Sequence, residues 1–242
     1  MEYIHNTEQF QFHNTVVALG KFDGMHKGHQ LIFDELIQYK QLGYQAAVFS
    51  FDRPPLNMLK HKHMRVIYTT NEKIKLLARR GIDIYIEHPF TDEFSHLSPE
   101  DFVIKVLLEK TGMKVLVVGD DCGFGYKRQG NVELLERMSK EYDFKLIVIP
   151  KLELEGEIVS STRIRHLLSE GKVEEANRLM EDPFMICGSV VHGNHMGAEV
   201  LQMPTANQIP LEDKLLPPNG VYVSRIHYKD ETYYGISNVG VK

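Results

Sequence analysis

Short apolar runs alternate with amphipathic stretches along most of this 242-residue chain, and this alternation restricts the fold more than any other feature. The runs have the length of β-strands, and they cover residues 15–20, 45–51, 82–86, 115–119 and 145–149. The stretches between them repeat their apolar residues at helical spacing. Alternating strands and helices form a mainly parallel sheet with helices on its faces. We therefore predict an α/β domain whose ligands bind at the carboxyl ends of the strands.

The predicted helices between these strands span about residues 29–40, 71–80, 98–110 and 131–142. Ser98 and Pro99 are typical of a helix start, because serine caps free amides and proline fits the first helical position. Two consecutive prolines, at 54 and 55, follow the second strand closely and cannot donate amide hydrogens to a sheet. A loop is therefore expected there.

The last quarter of the chain has a different pattern. Residues 188–192, 221–228 and 232–237 have the composition of strands and are separated by turn residues. We predict a boundary between an α/β domain at 1–182 and a small all-β, barrel-like module at 183–242. The module is expected to be incomplete, with an exposed sheet edge through which copies of the chain could associate.

Charge and cysteine content exclude several classes of protein. Lys and Arg total 28 against 33 Asp and Glu, so the chain lacks the basic excess of non-specific nucleic-acid binders. Two cysteines are too few for a disulfide framework or a four-cysteine zinc site. The first twelve residues do not have the pattern of a signal peptide, and no apolar run reaches the roughly 18 residues of a membrane span. We expect a cytoplasmic protein with neither nucleic-acid nor membrane partners.

His26, Gly28 and His29 lie where the first predicted strand is followed by its helix. Glycine lets a phosphate approach the backbone, and a helix N-terminus offers free amides and the positive end of its dipole. Two imidazoles add donors that can follow charge as a phosphoanhydride breaks. The segment therefore suits the α- and β-phosphates of ATP. Two surface histidines at a turn remain an alternative, as does, less readily, a metal pair without a nearby third ligand.

A second candidate segment follows the last predicted strand, at residues 158–165. Its hydroxyl residues cap a helix, and arginines follow within the first turn. Hydroxyls, free amides and arginines together can hold the β- and γ-phosphates, with Arg165 as a fork one turn inside the helix. The alternative is an ordinary Ser/Thr cap on a basic helix.

Together, these two segments resemble the nucleotidylyltransferase superfamily, and the match narrows to the prokaryotic riboflavin kinase/FAD synthetase family. The resemblance spans the whole chain and rests also on residues 49–55, 72–77, 89–91, 97–102 and 119–125. It implies that residues 1–182 form a Rossmann-like FMN adenylyltransferase domain. The implied reaction is attack of the FMN phosphate on the α-phosphorus of ATP, which gives FAD and pyrophosphate without a covalent enzyme intermediate.

The resemblance also assigns roles to residues. The catalytic residues would be His26 and His29, which polarise the ATP phosphates, and Arg165, which holds the outgoing pyrophosphate. ATP and phosphate binding would fall to Gly20, Phe22, Asp23, Gly28, Asp121, Ser161 and Thr162. Flavin binding would fall to Phe51, Pro54, Pro55 and Phe124. The substrates would be ATP and FMN, and Mg²⁺ would neutralise the phosphates, with no metal ligand assigned in the protein.

The chain departs from the family pattern around the flavin. The family commonly has Phe-Glu-Pro-His-Pro where this chain has Phe51-Asp52-Arg53-Pro54-Pro55, and an aromatic or basic residue is more usual at Cys122 or Gly123. Both differences fall in the predicted flavin pocket. We expect them to change the affinity for flavin more than the binding of ATP, because the predicted phosphate-binding residues are all present.

Residues 183–242 resemble the riboflavin kinase barrel, in which Thr205 and Asn207 would serve Mg²⁺ and ATP. Ala198 and Gln202 replace a usual Arg and Gly, and the sequence stops before the segment that carries the family's catalytic Glu. We therefore expect an FAD synthetase without riboflavin kinase activity. The bifunctional enzyme is the alternative, and a flavin-binding or regulatory protein that lost turnover is the alternative of another class.

Overall fold

A six-stranded parallel sheet forms the centre of the computed structural model, which describes residues 1–52, 65–191 and 206–240. Its spatial order is β1-β4-β3-β2-β5-β6. The strands are β1 (Glu2–His5), β2 (Thr15–Leu19), β3 (Gln45–Phe51), β4 (Ile84–His88), β5 (Met113–Gly119) and β6 (Lys145–Ile149). The five strands expected from the sequence are therefore confirmed. β1 was not expected, and it pairs in parallel with β4 at the sheet edge.

Helices follow the strands and cover both faces of the sheet. They are α1 (Lys27–Gln41), α2 (Thr70–Arg79), α3 (Asp92–Ser95), α4 (Pro99–Asp101), α5 (Val132–Glu141), α6 (Ser161–Ser169) and α7 (Val173–Leu179). α4 continues directly as a wider π-helix, Phe102–Lys110, where the sequence predicted one regular helix. None of the helices in the described ranges is long and apolar enough to cross a membrane.

Side chains of each strand alternate between two cores, one on each face of the sheet. In β2, Val16 and Ala18 pack with α1, α2, α6 and α7, whereas Val17 and Leu19 pack with the π-helix and α5. All five β2 residues are buried, as in a strand covered on both faces. This Rossmann-like α/β arrangement confirms the predicted fold class.

The strand order changes direction at β2. From β2 the chain proceeds through β3 to β4 on one side, and later returns to place β5 and β6 on the other. Ligands of open α/β sheets bind in the crevice outside the carboxyl ends of the strands at such a point. The loop after β2 and the loop after β5 both open there, so topology places residues 20–26 and 120–125 at the candidate site.

The second module is antiparallel in the part that the structure describes. β9 (Val190–Val191) pairs with β10 (Asn207–Gln208), and β11 (Gly220–Tyr228) forms a hairpin with β12 (Glu231–Val239). Its predicted strands are therefore present, although His192 lies outside the described residues. A further short hairpin, β7 (Glu153–Leu154) with β8 (Glu157–Ile158), precedes α6. The boundary at 182 and association through the module edge stay predictions.

Gly112, just before β5, packs closely against the backbone of the N-terminal segment at Phe12. Gly112 has φ +61°, and a Cβ there would lie 2.4 Å from the carbonyl oxygen of Phe12. Gly43 has φ +95° with no atom within 4 Å of such a Cβ. We expect Gly112→Ala to lower the free energy of unfolding by about 2–3 kcal/mol and Gly43→Ala by about 1 kcal/mol.

Denaturant unfolding with unchanged slope measures both losses. Equal losses in the two variants would show that backbone strain, rather than the collision with Phe12, limits the substitution.

Candidate active site

The loop between β2 and α1 is shaped by backbone conformations that ordinary residues rarely adopt. Phe22, Gly24 and Met25 have φ values of +48°, +82° and +35°. The Phe22 ring is 2% exposed and covers Gly20, where a Cβ would lie 2.9 Å from the ring carbon Cζ. Gly20 therefore leaves room for the Phe22 ring, and contact of Gly20 with ATP stays a prediction.

His26 and His29 lie against one another at the start of α1. Their ring centroids are 3.6 Å apart and the planes differ by 17°. His26 is the N-cap of α1, and its Nδ1 accepts the backbone N–H of His29 at 3.2 Å. The Phe22 ring packs edge-on against His29 at 5.2 Å. The two predicted catalytic histidines therefore form one stacked pair.

Burial keeps both imidazoles neutral. It lowers the pKa of His26 to about 4, and the carboxylates of Asp121 and Asp23 oppose this shift only in part. Burial, followed by the repulsion that a protonated His26 would exert and by the charge of Lys73, holds the pKa of His29 well below its ordinary value. In a neutral ring whose Nδ1 accepts, the proton lies on Nε2. His26 can therefore donate a hydrogen bond from Nε2 at neutral pH.

Gly28 makes room for this pair. A Cβ at Gly28 would lie 3.1 Å from Nδ1 of His26, so a side chain would press on the ring that caps the helix. The first amides of α1 have no carbonyl partner within the helix, and the positive end of the dipole lies there. A phosphate can therefore meet backbone donors and imidazole donors together.

Asp23 joins this loop to the second candidate segment. Its Oδ2 accepts a hydrogen bond from the guanidinium of Arg165, and its backbone oxygen accepts one from the Ser161 hydroxyl. Its Oδ1 accepts the backbone amides of Ile67 and Tyr68 at 2.9 and 3.2 Å. The Asp23 carboxylate is thus already occupied within the protein. It positions Arg165, and direct contact of Asp23 with ATP stays a prediction.

The start of α6 lies beside this junction. Ser160 caps the helix by accepting the amide of Arg163 at 3.2 Å. Ser161 and Thr162 follow in the first turn, where Ser161 is partly buried and Thr162 is exposed. The segments around residues 26 and 162 therefore lie next to each other, as expected if both bind one polyphosphate.

Further cations surround the site, and the sequence motifs did not indicate them. Lys21 has its pKa lowered by burial and then by the charge of Arg128, with smaller effects from Arg165 and Lys73. The Lys73 ammonium lies 3.4 Å from the carbonyl oxygen of Lys21. The Asp23 carboxylate opposes the pKa shift of Lys21, so part of the positive charge around the site is balanced within the protein. Asp121 is exposed, and its carboxylate lies 3.3 Å from the ammonium of Lys151.

The predicted flavin residues Phe51 and Phe124 belong to one aromatic cluster. Phe102 of the π-helix connects them, with ring centroids 6.4 Å from Phe51 and 5.8 Å from Phe124. Phe51 also contacts Phe90 and Phe94 at 5.5 and 5.7 Å. Phe51, Phe90 and Phe94 are partly exposed at the carboxyl end of β3, whereas Phe102 and Phe124 are 2% and 5% exposed and leave little ring surface for a ligand. Contact of Phe124 with flavin therefore stays a prediction.

Some predicted residues cannot be placed in this way. Pro54, Pro55 and Thr205 lie outside the described residues. Asn207 pairs with Val191 in the second module, and its assignment to Mg²⁺ and ATP stays a prediction. In the described part of the chain, no group of three His, Cys, Asp or Glu side chains could hold a metal ion.

Sequence families match both parts of the chain. The FAD synthetase family matches residues 8–163, and the riboflavin kinase family matches residues 180–242. A solved structure from Streptococcus pneumoniae, titled a macrolide-efflux protein, is similar with a TM-score of 0.86 and 30% identity. The similarity covers 98% of this chain and 78% of that one.

Curated relatives extend over both parts. The bifunctional riboflavin kinase/FMN adenylyltransferase of Buchnera aphidicola subsp. Schizaphis graminum is 38% identical over 99% of this chain and 77% of its own length. The Listeria monocytogenes protein of the same name is 35% identical over 98% of this chain and 77% of its own length. The chain therefore belongs to the bifunctional riboflavin kinase/FMN adenylyltransferase family.

Proposed function

We propose that the α/β domain transfers AMP from ATP to FMN and releases pyrophosphate. The observation that carries this proposal is that Asp23 binds both Arg165 and Ser161 of α6. These contacts bring the start of α6 to the same crevice as the histidine pair of α1. The two groups are far apart in sequence. Their meeting supports a site for a whole polyphosphate rather than for a single phosphate.

The proposed reaction is an in-line displacement. A phosphate oxygen of FMN forms a bond to the α-phosphorus of ATP, and the bond from that phosphorus to the bridging oxygen breaks. Pyrophosphate leaves with the bridging oxygen. The protein needs no nucleophile of its own, so positioning and charge stabilisation account for the catalysis.

Each group at the site can supply part of that stabilisation. His26 donates from Nε2 and the first amides of α1 donate from the backbone, so charge that develops on phosphate oxygens meets fixed donors. Arg165 and the start of α6 are suited to the leaving pyrophosphate. Lys21 and Lys73 add positive charge whose attraction for phosphate does not depend on a fixed orientation, because an ammonium acts as a point charge.

We propose that Mg²⁺ enters with ATP rather than through a protein cage. Mg²⁺ commonly binds through substrate phosphates with few protein ligands. The Asp23 carboxylate is engaged by Arg165 and two amides, so it is poorly suited to a metal. Asp121 is exposed and could contact a hydrated ion.

We propose that FMN stacks on the partly exposed ring of Phe51, which the buried rings of Phe102 and Phe124 support from the core side. Aromatic rings offer large apolar faces to a planar ring system. This placement leaves the flavin phosphate free to extend toward the crevice beyond β2.

His29→Ala is expected to lower the rate of FAD formation on the order of a hundredfold or more, because a fixed donor or its support for His26 is lost from the phosphate site. His166→Ala is the matched control, since His166 is an exposed histidine on α6. FAD formation from FMN and MgATP, followed by chromatography, measures both. Turnover near that of the unmodified chain in His29→Ala would refute the role.

Arg165→Ala is expected to raise KM for ATP and for pyrophosphate by roughly 10-fold or more, because hydrogen bonds to charged groups contribute about 1.5–3 kcal/mol. Arg163→Ala is the control from the same turn, since Arg163 pairs with Glu157 at 2.7 Å. Initial rates in both directions give the constants. If ATP and pyrophosphate bind Arg165→Ala as before, Arg165 does not hold the polyphosphate.

We infer that the second module contributes riboflavin kinase activity, against our expectation from the sequence. The riboflavin kinase family match at 180–242 and the names of the relatives support the bifunctional alternative better than a lost kinase. In this reading the chain converts riboflavin to FMN and then FMN to FAD.

Product analysis separates all of the alternatives. With riboflavin, ATP and Mg²⁺, the bifunctional enzyme is expected to accumulate FMN and FAD. FAD formed from supplied FMN but not from riboflavin would restore the reading of an FAD synthetase alone. No product from either flavin, together with flavin binding, would identify a non-catalytic flavin protein.

A further inference from the structure

A lysine of the second module is buried where that module meets the α/β domain. Lys214 is 2% exposed, and its ammonium donates to the carbonyl oxygens of Ile67 and Met185, both at 2.6 Å. Its third donor meets the Glu72 carboxylate at 2.7 Å. The rings of Phe184 and Tyr68 face the charge at 4.5 and 5.2 Å. All three donors of the ammonium are therefore satisfied.

Glu72 completes this buried ion pair. It is fully buried in the first turn of α2, and its Oε2 also accepts the amide of Thr69 at 2.8 Å. Its Oε1 accepts the amide of Cys187, a residue near the start of the second module, at 2.7 Å. One carboxylate thus binds groups from both parts of the chain.

The backbone next to Lys214 continues the same contact. The amide of Val66 donates to the carbonyl oxygen of Asp213 at 2.6 Å, and the amide of Leu215 donates to that of Val66 at 2.7 Å. Residues 213–215 therefore run beside residues 65–68 as a short parallel pair.

Residues 65–68 touch the phosphate site on their other side. Asp23 binds the amides of Ile67 and Tyr68, and the Arg165 guanidinium donates to the carbonyl oxygen of Arg65. The segment is therefore held by the second module on one side and holds Asp23 and Arg165 on the other.

We propose that Lys214 is a positioning residue for adenylyl transfer, through which the second module fixes residues 65–68 and thereby the Asp23–Arg165 pair. The proposal rests on the proposed reaction of the α/β domain. A buried ammonium with three partners fixes those partners in one arrangement, and breaking it leaves Glu72 uncompensated. ATP binding in the first part of the chain then depends on a residue of the second.

The proposal predicts a change in ATP affinity that destabilisation alone does not produce. Lys214→Met is expected to raise KM for ATP and for pyrophosphate by roughly fivefold or more, while KM for FMN changes little. Lys214→Gln, which keeps a donor for the carbonyl oxygens, is expected to show a smaller rise. The double variant Glu72→Gln/Lys214→Met removes both charges, so no unpaired charge stays buried. The same rise in KM for ATP is measured in it if Lys214→Met does not fold.

Thr111→Val is the matched control for stability. Its buried hydroxyl donates to the carbonyl oxygen of Leu107 at the amino ends of β2 and β5, so the change removes a buried hydrogen bond at the end of the sheet opposite the loop after β2. All variants are assayed well below their unfolding temperatures. Equal loss of kcat with unchanged KM for ATP in the Lys214 variants and in Thr111→Val would overturn the proposal.

Hydrogen exchange on the unmodified chain tests the same coupling from the other side, because coupling between sites is reciprocal. Mg-pyrophosphate is expected to slow exchange at the amides of Val66, Leu215 and Cys187. Calorimetry first establishes that pyrophosphate binds, so this test does not depend on FAD formation. Bound pyrophosphate without slower exchange at these amides would contradict the proposal, whereas a chain that makes no FAD would contradict the proposed function instead.

Discussion

The Asp23 carboxylate is the contact on which the rest of the site depends. It lies in a loop of left-handed conformations after the central strand and binds one arginine and two backbone amides. A partly buried carboxylate without these partners would be costly, because charge is poorly solvated there. The loop after β2, residues 65–68 and the start of α6 are therefore held in one arrangement before any substrate arrives.

That arrangement concentrates positive charge where a polyphosphate is proposed to lie. The charges of Arg165 and Lys73 help to lower the pKa of Lys21, and the histidine pair, kept neutral by burial, adds directed donors without adding charge. Donors and charges fixed in advance need no reorganisation when negative charge develops. The Asp23 carboxylate balances part of this positive charge, and a bound polyphosphate would balance more of it.

The sequence predicted what depends on local pattern and missed what depends on tertiary contact. Strand and helix periodicity and the two motifs of the phosphate site gave the sheet and its crevice. β1 was missed because four residues, EYIH, have little pattern, and it is recognisable only through its pairing with β4. The π-helix leaves no distinct signal, and Lys73 and Lys214 gain their significance only from burial beside distant residues.

The edge position of β1 also has a consequence for synthesis of the chain. Residues 2–5 are synthesised roughly eighty residues before their partners in β4. At ~5–20 residues per second, β1 waits about 4–16 s before it can pair. A strand that waits so long must not pair with other chains, and the short, half-exposed β1, with its charged and polar ends, suits that requirement. The weak strand pattern of β1 thus has a benefit during translation.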